Sequence, residues 1–206
     1  DSPYAWHAPV ERDTAEADRL LDAAGWRRGP DRIRVRAGRS LEVELLTVGS
    51  GDNVAEQLVQ ADLGARGIRV RVRQTEMGTF LTTARATDKR FDLLLAGIPG
   101  DLSLSYVGAL FSTAQRGGTF DYTGYHNPAL DRLLARAADA ATPEQARLDW
   151  GAVQSALDTL APATWLFHAR GLQGVTRRLQ GVHIDLRGEL ATVHDWTLAP
   201  RGGEAP

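Results

Sequence analysis

No cysteine occurs among the 206 residues, so disulfides and thiolate metal sites are excluded, and an oxidising compartment is permitted without being required. Lysine is almost as scarce. Lys89 is the only one, arginine supplies the remaining positive charge, and the bias reads as a codon habit of the source genome with no bearing on function. No apolar run approaches the roughly 20 residues needed to span a bilayer. The opening "DSPYAWHAPVERD" lacks the basic-then-apolar form of a signal peptide. With its prolines and Trp6, it reads as the lead-in of an excised piece. Net charge is only −2 and the basic residues are scattered, so no global field draws nucleic acid or an anionic membrane.

What is present is an ordinary globular composition, 43% hydrophobic and 24% charged, enough for one sizeable core. Asp13 and Glu16 form a capping box, and Ala17, Leu20, Leu21 and Ala24 recur at helical spacing until Gly25. A turn then leads to a strand from Leu41 to Val48. Asp52 or Ser50 caps the next helix, which places Val54, Leu58, Ala61 and Ala65 on one face and ends at Gly67. "IRVRVRQTEM" alternates, with Ile68, Val70 and Val72 inward and Arg69, Arg71 and Arg73 outward, where helix carboxylates are expected to cover them. Strand, helix, strand is the parallel crossover unit. Met77 to Ala86 is expected to be a second crossover helix, and "FDLLLAGIPGD" a third parallel strand, interior and buried on both faces.

A loop rich in Gly and Ser follows. Two helices then announce themselves by their caps: Asn127 with Pro128, and Thr142 with Pro143 and Gln145. Leu130, Leu133, Leu134 and Ala137 share the inner face of the first; Trp150, Val153, Leu157 and Leu160 that of the second. "ATWLFHARGLQGVT", "LQGVHIDL" and "ATVHDWTL" are strand-like, and "RGGEAP" is a frayed tail.

Chemical motifs are weak. "GSGDNV" sits between strand and helix, but Val54 replaces the third glycine of a dinucleotide fingerprint and no Lys-Ser or Lys-Thr makes a phosphate loop. The five histidines form no i, i+4 pair. Ser103, His126 and Asp101 could be written as a triad, yet no G-x-S-x-G elbow supports it. The arginine ladder has no interleaved aromatics for base stacking. Asp101, just past the end of a parallel strand, is either a turn residue or a ligand contact, because open α/β sheets bind ligands outside their strands' carboxyl ends.

Several stretches together resemble the family 5 extracellular solute-binding proteins, the dipeptide, oligopeptide and nickel receptors of ABC importers. They are "AEADRLLDAAGW", "FDLLLAGIPGD", "RLDWGAVQSALDTLAPATWLF" and "GVTRRLQGVHI", with "LFSTAQRGGTFDYTGYHNPALDRLLARA" placing Tyr125, Asn127, Pro128 and Asp131 in the family's register. Ile98 stands where the family has tryptophan before G-D, and the usual D-P after it is absent.

The resemblance implies an α/β fold of the periplasmic-binding-protein type II kind. A mixed, mostly parallel sheet would be flanked by helices in the second lobe of a two-lobe clamp. Residues 1–12 would be a lead-in from a first lobe outside this chain, 13–170 the lobe itself, and 171–206 return strands and tail. It further implies a non-enzymatic receptor, with no cofactor and no metal in this chain. Such a receptor is periplasmic or otherwise extracytoplasmic, open to lipid anchoring, and hands a small peptide or amine-bearing solute to a permease. Asp101 matches the family aspartate that pairs with a ligand's α-amino group. Ser103, Ser105, Asp121 and Tyr122 flank it as further candidates, Asp121 being either a second cleft acid or a loop cap. A ligand-sensing domain of the same fold in a transcriptional regulator is the alternative, and a hydrolase a remoter one.

Overall fold

The computed structural model describes Tyr4 and residues 12–49, 51, 53–98, 104–167, 172–184, 188 and 190–200. Helix α1 (Thr14–Ala23) begins where the Asp13 carboxylate accepts the Glu16 N–H at 2.8 Å. It ends in a Schellman turn, with Gly25 at φ 85° and Trp26 N–H donating to the Leu21 carbonyl. Glu16 does not close the expected box; its carboxylate grips Arg19 at 2.6 Å through both oxygens. Leu20 is 54% exposed, against expectation, because the inward side of α1 presents Asp18 and Asp22 to Arg34.

Three short strands follow, β1 (Arg27–Arg28), β2 (Arg34–Arg36) and β3 (Arg39–Ser40), in an antiparallel meander that the sequence showed only as a turn. Ala37 and Gly38 both take positive φ, as a two-residue hairpin of this twist demands. Arg34 is the centre of the region. Its guanidinium donates to Asp18 and Asp22 at 2.7 and 2.6 Å and to the carbonyls of Trp26 and Arg66, each at 2.7 Å. The last of these lies beside Gly67 (φ 84°), where an added Cβ would meet the Arg32 carbonyl at 2.8 Å. Glycine is therefore required there by close approach as well as by backbone angle.

The main sheet has the order β5-β4-β6, all parallel, with β4 (Glu42–Val48) central, β5 (Arg69–Thr75) and β6 (Leu93–Leu94) beside it. Crossover helices α2 (Val54–Ala65) and α3 (Met77–Arg85) pack on β5 and β4. Leu45, Leu46, Val70, Phe80 and Ala84 form the core of this layer.

Three expectations change here. Among the described residues, the apolar run expected to be an interior strand is not one: β6 is two residues long, lies at an edge of the described sheet, and leaves Leu93 36% exposed. A continuous apolar run shows that a strand can be covered, not that the same chain supplies the cover. Helix α2 turns its Val54 and Leu58 outward, 64% and 65% exposed, and inserts Ala55, Glu56, Val59 and Leu63 instead. The arginine ladder is met by strand rather than helix carboxylates, Arg69 on Glu42 and Arg73 on Glu44, across the parallel pairing.

A second layer is helical. Helix α4 (Ser105–Phe111), in the stretch expected to be loop, packs against α5 (Pro128–Ala138), which pairs with α6 (Pro143–Leu160). Asn127 caps α5 by accepting the N–H groups of Ala129 and Leu130, and Thr142 caps α6 by accepting that of Gln145. The core here is Leu110, Phe111, Leu130, Leu134, Ala137, Val153 and Leu157. Leu160 is 41% exposed rather than inward, and buried Asp149 instead joins the hairpin by pairing with Arg136 at 2.6 Å.

Beyond α6, described residues 161–167 form no strand, and Trp165 and Phe167 are largely exposed. In the stretch expected to hold return strands, the described residues include an antiparallel pair, β7 (Leu179–Gln180) with β8 (Thr197–Leu198). A short 3-10 turn at Val193–Asp195 takes up part of "ATVHDWTL".

Candidate functional site

Because β4, β5 and β6 are parallel, their carboxyl ends open on one edge, and that edge is where an α/β sheet of this kind offers binding groups. After β4 the chain turns at Gly49, and Asn53 stands just before the first residue of α2, Val54. The expected caps Asp52 and Ser50 lie outside the described residues. Asn53 occupies the cap position without making a side-chain cap bond; its amide donates to Glu56 at 3.2 Å. Thr47, at the end of β4, donates to the same Glu56 oxygen at 2.5 Å, so a buried carboxylate seals the β4–α2 turn. Sequence reasoning missed Glu56; its signal is the N-x-x-E spacing from Asn53.

After β5, Glu76 caps α3 by accepting the N–H groups of Gly78 and Thr79, and these bonds hold its carboxyl below the ordinary 4.5. After β6 the chain runs to Ile98 and resumes at Leu104. Asp101 and Ser103 lie outside the described residues. Ser105 is the first residue of α4.

Asp121 and Tyr122 sit in the loop between α4 and α5. Asp121 is 8% exposed, and its two oxygens accept the N–H groups of Gly117 and Gly124 at 2.8 and 3.0 Å. That is the geometry of a loop cap. Tyr122 packs on the helical core, edge-on to Phe120, whose ring lies edge-on to Tyr106 of α4 at 5.1 Å. The loop is also held from the sheet side. Arg85 donates to the Thr119 carbonyl at 3.0 Å, and Lys89 donates to the carbonyl of Asp121 and, at 2.8 Å, to that of Ala84. The one lysine of the chain, set aside in the sequence as a codon habit, thus has a specific post.

Asp131 of α5 accepts the Thr113 N–H at 2.8 Å, while the Thr113 hydroxyl shares a hydrogen bond with His126 Nδ1. Hydrogen bonding from Thr113 holds Asp131 below the ordinary 3.8. A group with a depressed folded pKa stabilises the fold fully above its unfolded pKa and loses that contribution as pH falls through the folded value. Glu76 and Asp131 both have this sign, so the urea midpoint of the chain should be flat from about pH 6 to 5 and fall below about pH 4. Asp131→Asn should make that acid slope shallower; an unchanged slope would remove Asp131 from it.

A hollow of about 700 Å³ lies elsewhere, among Tyr4, Gly108, Ala109, Leu134, Ala138 and Trp150 of the helical layer, with no residue of the sheet in its lining. Among the described residues no group of three or more His, Asp or Glu side chains could hold a metal ion. No described helix is long and apolar enough to cross a membrane.

No protein-family model matches the chain. Protein XP55 of Streptomyces lividans is 29% identical over 184 residues, covering 88% of this chain and 33% of the relative. A probable di/tripeptide-binding protein of Pseudomonas aeruginosa is 31% identical over 60% of this chain and 25% of its own length. The chain therefore spans a third or less of these relatives. Among solved structures, the oligopeptide-binding protein AppA of Bacillus subtilis, in complex with a nonapeptide, superposes on 95% of this chain and 40% of its own. The TM-score is 0.82 at 22% identity. An oligopeptide-binding protein of Thermus thermophilus complexed with a pentapeptide matches 78% of this chain and 31% of its own, with a TM-score of 0.65 at 25% identity. The expected fold, an α/β lobe of the type II periplasmic-binding kind, is the fold observed.

Proposed function

We propose that this chain, whose structural neighbours are family 5 solute-binding proteins, forms most of the second lobe of an ABC-importer solute receptor. It binds a small peptide or another amine-bearing solute in a cleft shared with a first lobe, outside the cytoplasm, and the closed receptor delivers that solute to a membrane permease. The observation that carries this reading is the common carboxyl edge of β4, β5 and β6, from which the chain leads towards Asp101. Peptide-binding proteins are among the similar proteins named for what they bind, beside nickel-transport proteins, and this supports a solute-binding rather than an enzymatic role.

Asp101 is the proposed partner of the ligand's α-ammonium, since an ammonium withdrawn from water needs a compensating charge and charge-assisted hydrogen bonds. Ser103, Ser105 and Tyr122 are proposed as flanking contacts, and Asp121 contributes by shaping its loop. In the full receptor, Asp101→Ala should weaken calorimetric binding of trialanine by about 30-fold or more, the effect of truncating one partner of a buried charge pair. Binding of N-acetyl-trialanine should change little. Equal losses for both peptides would take Asp101 out of this role, and a wild-type receptor binding neither would overturn the peptide reading.

A further inference from the structure

Six arginines and one acid, Asp31, lie between residues 27 and 39, and the antiparallel meander decides which of the six keep an unopposed charge. Arg34 is engaged by Asp18 and Asp22, and Arg27 and Arg28 stand 3.5 Å from the same two carboxylates. Arg32 stands apart in the β1–β2 turn. Arg36 and Arg39 differ from all of these. They are paired residues across the Ala37–Gly38 turn, so their side chains leave the same face of the ribbon. Among the described residues neither has a carboxylate partner. Like charges set directly opposite each other destabilise a strand pair, and here no described group offsets that cost.

One member of the pair is held in place. The Arg36 guanidinium lies over the Trp26 ring, 4.7 Å from its centroid, and donates to the Ala24 carbonyl at the end of α1 at 3.2 Å. Stacking fixes the plane of its remaining donors, which suits the oxygens of an anion. Arg39 makes no described hydrogen bond, ion pair or ring contact, and residues 36–40 are all exposed.

We propose that the β2–β3 turn is a docking surface for acidic lipid headgroups, with Arg36 and Arg39 as a two-guanidinium clamp on their phosphates. Charge and shape select this occupant. A free phosphate on two open guanidiniums stays hydrated and is held weakly. A lipid layer offers many phosphates at once to an exposed turn, and each arginine near it strengthens binding about fivefold. Trp26 beside the pair matches the headgroup level, where amphipathic rings settle. The chain's net charge of −2 supplies no such attraction, so the effect is local. Because β3 leads directly into β4, the turn lies at the amino end of the main sheet, and docking there leaves the carboxyl edge open. The choice of a lipid layer rests on the receptor reading above, which sets the chain beside a membrane; the clamp does not.

The test is sedimentation of the 206-residue chain with vesicles of phosphatidylcholine alone and of phosphatidylcholine mixed equally with phosphatidylglycerol, without peptide, so that it is independent of the trialanine result. Binding should be at least about tenfold stronger to the acidic vesicles and should weaken with salt. Arg39→Gln should lose about fivefold and Arg36→Gln/Arg39→Gln about 30-fold. Arg116→Gln/Arg132→Gln, which removes the same charge from exposed arginines outside the meander, should bind as the wild type does. Relief of the like-charge pair should also raise the urea midpoint of Arg39→Gln; a lowered midpoint would make Arg39 a structural residue and overturn the clamp. Equal binding to both vesicles, unchanged binding in Arg36→Gln/Arg39→Gln, or an equal loss in Arg116→Gln/Arg132→Gln would overturn the proposal. Retention on immobilised polyglutamate as tight as on acidic vesicles would put an acidic protein in place of the lipid layer, and saturable binding of inorganic phosphate to the pair would put a free ion there; either result overturns the lipid assignment.

Discussion

Replacing Arg34 by methionine should destabilise the chain by about 3 kcal/mol, read as a lower urea midpoint by circular dichroism. The Arg34 side chain is 2% exposed, and its donors are divided among α1, the turn after it and the α2–β5 connection. Methionine would match much of the stem's volume, so the loss is electrostatic. Asp18 and Asp22 would face each other without their shared cation, and the carbonyls of Trp26 and Arg66 would lose a buried donor. Breaking a buried ion pair costs about 3–5 kcal/mol. The lower end applies because Asp18 and Asp22 are 31% and 47% exposed and Asp18 keeps Arg66 as a partner. Arg34→Lys should lose about half as much, since one ammonium keeps the charge but cannot span acceptors on three segments. An Arg34→Met chain as stable as the wild type would mean that the meander and α1 are held by something other than this hub.

The second large effect is expected at Leu130, which is fully buried at the meeting of α4, α5 and α6. Leu130→Ala should cost about 3 kcal/mol or more, the transfer term for the missing carbons plus that of the cavity they leave. Leu148→Ala, on the same helical layer but at a side chain 70% exposed, should change stability by less than about 0.5 kcal/mol. The pair is informative because both residues are leucines in helices. Similar losses at the two sites would mean that the face of α6 bearing Leu148 is covered in the protein as it works.

The helical hairpin was legible in the sequence because its signals are local. Asn127 with Pro128 and Thr142 with Pro143 state where each helix begins, and Leu130, Leu134, Val153 and Leu157 show which face is inward. The parallel crossover units were legible for the same reason. What escaped depends on partners remote in sequence. The apolar run at 91–96 does not report how many strands flank it, and among the described residues β6 is an edge. In α2, Val54 and Leu58 look inward by spacing, but Glu56 takes the buried side because Thr47, on another element, bonds it. Asp121 could be read as a cleft acid or a loop cap until Gly117 and Gly124 were seen to donate to it. Lys89 was visible as a singularity, but its meaning required two carbonyls that lie far apart in the chain.

The strand pairings also bear on how this chain reaches its native state. Leu45 must find Leu93, and Val43 must find Val70, before the sheet layer gains its pairing energy, whereas α5 and α6 meet across a short turn. Distant contacts carry a loop-closure cost before any reward, so hairpin formation outpaces sheet assembly. During synthesis the order of emergence is the reverse: the slow-pairing strands leave the ribosome first and wait for β6, with Leu45 and Leu46 still uncovered. That interval is when this polypeptide is most open to aggregation and most in need of a holdase, and its length is set by the distance from β4 to β6 rather than by overall stability.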